Sequence, residues 1–169
     1  PLKVTHLLFV NLVMDGLGAI MLGNEPAREH YMTEKPRRRD ESIVSRSMMV
    51  QIVTMGMWLT ALSFLFLKLP FFDQFFDTME QKLSAYFVLF IWCALFNGFN
   101  VRDEGFQIFR GLEENTGFMK VFIAIILVQA LIVNAGLIPA AAWVGNMFSC
   151  VPFGAAGWGV VAALAVTMI

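Results

Sequence analysis

One short stretch, Phe9-Val10-Asn11-Leu12-Val13-Met14-Asp15-Gly16-Leu17-Gly18, holds the residues best suited to chemistry. Asn11 and Asp15 stand four apart, so on a helix an amide and a carboxylate share one face, a turn from each other. Gly16 and Gly18 follow at once and weaken the helix where the acid sits. A loosened backbone turns carbonyl oxygens toward a bound ion, as broken helices do in membrane transporters. Carboxylate, amide oxygen and freed carbonyls are the hard oxygen donors that Ca²⁺ takes. The same residues would also serve as a polar pair joining two helices, with glycines for close packing. Residue types alone leave both open.

The element that must position this pair is an apolar segment from Val4 to about Leu22. Its ~19 residues fall in the range needed to span the roughly 30 Å hydrocarbon core. Asp15 lies about 11 residues beyond Val4, or about 16–17 Å at helical rise, near the bilayer midplane. A carboxylate at that depth is costly and is expected to face the interior of a bundle.

The rest of the chain has the same character. Of its 169 residues 58% are hydrophobic, against about 45–50% in soluble domains, and the mean hydropathy is +0.68. The pattern predicts an all-α, polytopic transmembrane helix bundle with five membrane segments, at about 4–22, 48–69, 83–100, 118–135 and 154–169. The first is expected to be unwound near its middle. The last is expected to be truncated, because 154–169 covers only about 24 Å at helical rise. Pro1-Leu2-Lys3 opens the chain without a charged leader region or cleavage site, so no signal peptide is expected and the sequence reads as a fragment. Cys93 in a span and Cys150 in a loop give no disulfide framework, and no repeat of 20 to 50 residues is visible.

The connections carry the charge. Gly23 to Ser47 holds Arg28, Lys35, Arg37, Arg38, Arg39 and Arg46, and Arg102 to Lys120 adds Arg102, Arg110 and Lys120. Only Lys3, Lys68 and Lys82 fall on the opposite side, so the positive-inside rule makes these two loops cytoplasmic and starts the first helix outside. Arg37-Arg38-Arg39 suits docking onto a soluble domain and equally suits an orientation signal. Phe106, Ile108, Phe109 and Leu112 suggest a short amphipathic element. In "LPFFDQFFDTMEQK" four phenylalanines form an interfacial layer, and Asp73, Asp77 and Glu80 form a solvated rim. His6 is expected to be an interfacial polar group. Gln51, Thr54, Thr60 and Ser63 are expected to be satisfied within the bundle, and nothing demands a ligand role for Gln129 or Asn134.

"FVNLVMDGLGAIMLGNEPA" resembles the sixth transmembrane helix of P-type Ca²⁺-ATPases, whose core is Asn-x-x-(Thr or Met)-Asp-Gly. The resemblance implies that Asn11 and Asp15 are calcium ligands. Met14 stands where the two-site sarcoplasmic reticulum pumps have Thr, which agrees with the plasma-membrane calcium pump subfamily and its one ion per cycle. "ALFNGFNVR" resembles the end of the eighth helix, with Ala94 where two-site pumps place a Glu. Asn97 and Asn100 remain there, as helix–helix glue or, together with Met14, as lining of the ion path. The loop bearing Arg37, Arg38 and Arg39 resembles one that couples phosphorylation to transport. "VRDEGFQIFRGLEENTGFM" and "FSCVP" resemble later connections of the same family.

The resemblance covers essentially the whole chain, as the sixth to tenth helices of such a pump. It implies an ATP-driven enzyme that exports Ca²⁺ from the cytoplasm through an aspartyl-phosphate, located as a multi-pass protein in the plasma membrane, or the inner membrane of a bacterium. The DKTGT phosphorylation motif lies outside this sequence, so ATP and Mg²⁺ are expected on domains that this chain lacks, and the chain alone is not catalytic. The implied partners are the lipid bilayer and the remaining helices and cytoplasmic domains of the same pump, with no nucleic acid. The alternatives are a P-type pump for another cation such as Mn²⁺, a secondary transporter subunit, or a non-catalytic membrane scaffold. A transporter would favour paired broken helices, and only one is visible.

Overall fold

The computed structural model describes residues 2–23, 33, 44–101 and 116–169, and among these every regular element is helical. Helix α1 (Val4–Phe9) runs through a π turn (Val10–Met14) into α2 (Asp15–Gly23). Next come α3 (Arg46–Lys68), α4 (Met79–Val101), α5 (Thr116–Asn134), a short α6 (Ala142–Phe148) and α7 (Ala155–Val166). Among the described residues three helical segments are long and apolar enough to cross a membrane: α3, α4, and α5 with its 3₁₀ extension to Leu137.

Helix α4 is the axis of the bundle, with α2, α3, α5 and α7 packed around it. Ala85, Phe87, Val88, Ile91, Cys93 and Leu95 are completely buried along it, as expected of a helix that is apolar all round. Of its most apolar window 61% is buried, against 11% for α3, which stands at the rim. Aromatic rings tie α4 to its neighbours. Phe99 meets Phe118 and Phe122 of α5 edge-on, with centroids 4.9 and 5.1 Å apart, within the range of favourable ring pairs. Trp92 faces Trp158 of α7 at 5.8 Å. Gly157 lets α7 approach closely, since a Cβ there would lie 2.7 Å from the Phe76 ring and 2.9 Å from Phe153.

Helix α4 begins at Met79, earlier than the apolar pattern suggests, because polar residues cap it. Thr78 Oγ1 accepts from the Gln81 N–H and Gln81 Oε1 accepts from the Asp77 N–H, a variant of the reciprocal capping box. The acidic rim is also partly paired: Lys82, 2% exposed, donates to the Leu67 carbonyl and to Asp73 Oδ1. This closes the α3–α4 turn.

Two expectations change here. The connection 136–154 contains α6 rather than irregular chain throughout. Helix α6 ends with Ser149 in the left-handed region at φ 51°, while the Cys150 N–H returns to the Gly145 carbonyl at 2.9 Å, the pattern of a Schellman cap. The first segment stays helical through Gly16 and Gly18, where an added Cβ would meet nothing within 4 Å. Its irregularity comes one turn earlier, as the π turn. Arg37, Arg38 and Arg39, and the proposed amphipathic element with Phe106, Ile108, Phe109 and Leu112, lie outside the described residues.

Candidate ion site and its supports

Asn11 lies inside the π turn and Asp15 directly follows it. The Asp15 N–H bonds the Val10 carbonyl five residues back, so the ladder there is one residue wider than in an α-helix. Such π turns occur mostly as single turns inside α-helices, frequently at functional sites. Asn11 and Asp15 are both exposed. Neither side chain has a hydrogen-bond partner among the described residues. Amide and carboxylate therefore point away from the packed bundle with all their oxygens free. Met14 contributes its backbone to the same turn. Among the described residues no three His, Cys, Asp or Glu side chains come together.

The second polar pair, Asn97 and Asn100, is hydrogen-bonded within the bundle. Asn100 Nδ2 donates to the Met168 carbonyl at 2.5 Å and to Asn97 Oδ1 at 3.4 Å, and lies 4.0 Å from Met55 Sδ. The Asn100 carbonyl accepts from Gln51 Nε2 at 3.1 Å. One asparagine thus joins α3, α4 and the residues after α7. Trp58 Nε1 adds a bond to Thr167 Oγ1 at 3.2 Å beside it. Ala94, one turn before Asn97 on α4, is exposed.

Two buried polar side chains carry more structure than their types suggest. Gln129 is fully buried on α5 and donates to the Phe87 carbonyl at 3.1 Å, while its Oε1 has no partner. His6 is 3% exposed. Its Nε2 bonds the Phe148 carbonyl at 2.5 Å and its Nδ1 accepts from the Lys3 N–H at 3.2 Å. A sequence signal for this exists in retrospect: Lys3 to His6 has capping-box spacing, with His in place of Glu or Gln. Cys150 Sγ lies 3.9 Å from His6 Nε2, and burial pushes that thiol up to about 11. At neutral pH it is therefore a small apolar group rather than a thiolate ligand.

The whole chain, residues 1–169, matches the family model described as cation transporting ATPase, C-terminus. Among its relatives, a plasma membrane-type calcium-transporting ATPase 9 from Arabidopsis thaliana is 33% identical over 141 residues, covering 79% of this chain and 13% of the relative. The plasma membrane calcium-transporting ATPase 3 of Homo sapiens is 30% identical over 169 residues, covering 94% of this chain and 13% of that protein. The plasma membrane calcium-transporting ATPase mca-1 of Caenorhabditis elegans is 26% identical over the same length and coverage. The chain thus spans about an eighth of the length of the relatives it matches.

Proposed function

The chain belongs to the family of cation-transporting ATPase C-termini, and from that premise we propose that it is the membrane portion that gives an ATP-driven plasma-membrane calcium pump part of a single Ca²⁺ site. The observation that carries the proposal is the free Asn11–Asp15 pair beside a π turn in an apolar segment. A carboxylate in such a segment is retained for function by default. Here it has no described partner to neutralise it. The relatives are named as calcium-transporting ATPases, and hard oxygens of this kind suit that cation.

In this proposal Asp15 supplies the charge and Asn11 a neutral oxygen. Ca²⁺ takes six to eight oxygens, so the remaining ligands come from parts of the pump outside this chain. Five membrane segments carry the site: α1–α2, α3, α4, α5 and α7, the first loosened at the π turn and the last short. Asn97 and Asn100 buttress rather than line the path: Asn97 Oδ1 accepts from Asn100 Nδ2, and the same Nδ2 donates to the Met168 carbonyl. Arg37, Arg38 and Arg39 serve a cytoplasmic coupling loop. ATP and Mg²⁺ bind on other domains, where the phosphoryl chemistry takes place.

The test is phosphorylation of the complete protein from ATP in isolated membranes, with Ca²⁺ and Mn²⁺ titrated separately. Phosphoenzyme that requires micromolar Ca²⁺, and that disappears in Asp15→Asn, is the expected result. Phosphoenzyme formed equally well without Ca²⁺, or activated by Mn²⁺ alone, overturns the calcium assignment.

A further inference from the structure

We infer that His6 is a positioning residue for the cation site, fixing the end of the segment whose next turns present Asn11 and Asp15; this rests on the function proposed above.

The two nitrogens of His6 close two helix ends at once. The last carbonyls of any α-helix lack partners within it. In α6 the Phe148 carbonyl is one of these, and it meets His6 Nε2 at 2.5 Å from 142 positions away in sequence. At the start of α1 the free N–H of Lys3 points to Nδ1. Lys3 N–H can only donate and the Phe148 carbonyl can only accept. The ring is therefore used with Nδ1 as acceptor and Nε2–H as donor. The imidazole also stacks on Phe87 of α4, with centroids 4.1 Å apart and planes 15° from parallel. One turn on, Phe9 meets Phe87 and Phe148 edge-on at 5.9 and 5.8 Å. Helix α1 is thereby held in rotation and height against α4 and α6 by directional contacts.

Beyond Phe9 the character of the segment changes at once. The π turn begins at Val10, and Asn11 and Leu12 are exposed. Helix α2 then packs on α5. Between the His6 anchor and that second contact, the ion-facing oxygens have no local bonds to orient them. Their direction is inherited from the fixed ends of the segment. A Ca²⁺ site needs its oxygens at defined distances; residues bonded directly to ligands are typically worth about 10–100-fold in metal affinity, and His6, which acts through the segment, falls at the low end of that range.

The experiment measures the Ca²⁺ concentration for half-maximal phosphorylation of the complete pump, with maximal phosphoenzyme expressed per folded molecule. His6→Phe keeps the stack on Phe87 and removes both hydrogen bonds. It is expected to raise the half-maximal concentration about tenfold with the maximum unchanged. His6→Gln restores a donor and an acceptor and is expected to return most of the affinity. An unchanged half-maximal concentration in His6→Phe overturns the inference, as does a fall in folded protein with affinity intact. If His6→Phe does not reach the membrane, His6→Asn takes its place with a smaller shift in the same direction expected. Failure of all three variants to fold assigns His6 to folding alone and also overturns it. If the unsubstituted pump shows no Ca²⁺ dependence, the calcium reading itself falls.

Discussion

Two polar pairs of nearly the same composition lie in apolar helices of this chain and have opposite fates. Asn97 and Asn100 on α4 turn inward, and the Asn100 amide is engaged by Met168 and Asn97 while its carbonyl is taken by Gln51. Asn11 and Asp15 turn outward from the bundle, and their side chains bond to nothing described. The first pair sits on the most wrapped of the described membrane-length helices, the second in and just after a π turn, in a segment that packs on the core through Phe9, Val10 and Leu17. A buried polar group that is satisfied rigidifies a structure. One held in an apolar segment without a partner is the default candidate for a functional site. Partnering, more than residue type, separates glue from site.

The sharpest break in this comparison comes from removing the charge. Asp15→Asn is expected to abolish Ca²⁺-activated phosphorylation while the protein folds and inserts, because no described intrachain bond depends on that carboxylate. Asn11→Ala is expected to raise the half-maximal Ca²⁺ concentration by a smaller amount, about tenfold, since a neutral oxygen contributes less than a charged one. Normal affinity in Asp15→Asn, measured by equilibrium binding of ⁴⁵Ca²⁺, would remove the pair from the site.

These contrasts were only partly legible in the sequence. The charge of Asp15 inside an apolar run, four residues after Asn11, marks the position without any structure, and helices α3 and α5 lie within two residues of where hydropathy puts them. Helix α4 starts sooner because Thr78 and Gln81 cap it, and polar caps are invisible to a hydropathy window. The π turn was not legible: Gly16 and Gly18 point to a weak spot, but a widened turn depends on how the two ends are held. The burial of His6 is hidden for the same reason, since it is decided by Phe148 and Phe87, far away in the chain. The face of α4 on which Asn97 and Asn100 lie became readable only when α3 and the chain end at Met168 were seen beside it.

Breaking the other pair should give the reverse phenotype. Asn100→Leu removes the bonds to Met168 and Asn97 while keeping the number and branching of side-chain heavy atoms. Interhelical hydrogen bonds in membranes average about 0.6 kcal/mol and reach about 1.7 kcal/mol, so a loss of about 1–2 kcal/mol is expected. Thermal unfolding in detergent would read it, with half-maximal Ca²⁺ unchanged; a large affinity loss without destabilisation would return Asn97 and Asn100 to the ion path. Gln129→Leu should cost less, under about 1 kcal/mol. It gives up the single bond to Phe87 but also removes the buried Oε1 that has no partner, and an orphaned buried acceptor is itself destabilising.

The smallest expected effect is none at all, and it tests whether the two pairs belong to separate machinery. By the resemblance, pumps that carry two ions place a Thr where this chain has Met14 and a Glu where it has Ala94. Installing both, Met14→Thr with Ala94→Glu, supplies a hydroxyl in the first segment and a carboxylate on α4. Ala94 is exposed, so the new carboxylate can be accommodated without displacing the core. Yet a second Ca²⁺ needs six to eight oxygens, and the nearest polar side chain on that face of α4, Asn97, already has its Oδ1 accepting from Asn100. Two added donors leave the ion far short, and the charge in an apolar segment is itself costly. The double variant is therefore expected to bind one ⁴⁵Ca²⁺ per phosphorylatable site, the same number expected of the unsubstituted pump. Two ions bound by the unsubstituted protein would refute the single-site reading. Two bound only by the double variant would mean that Asn97 and Asn100 can be recruited from packing to coordination, and the line drawn between glue and site would have to move.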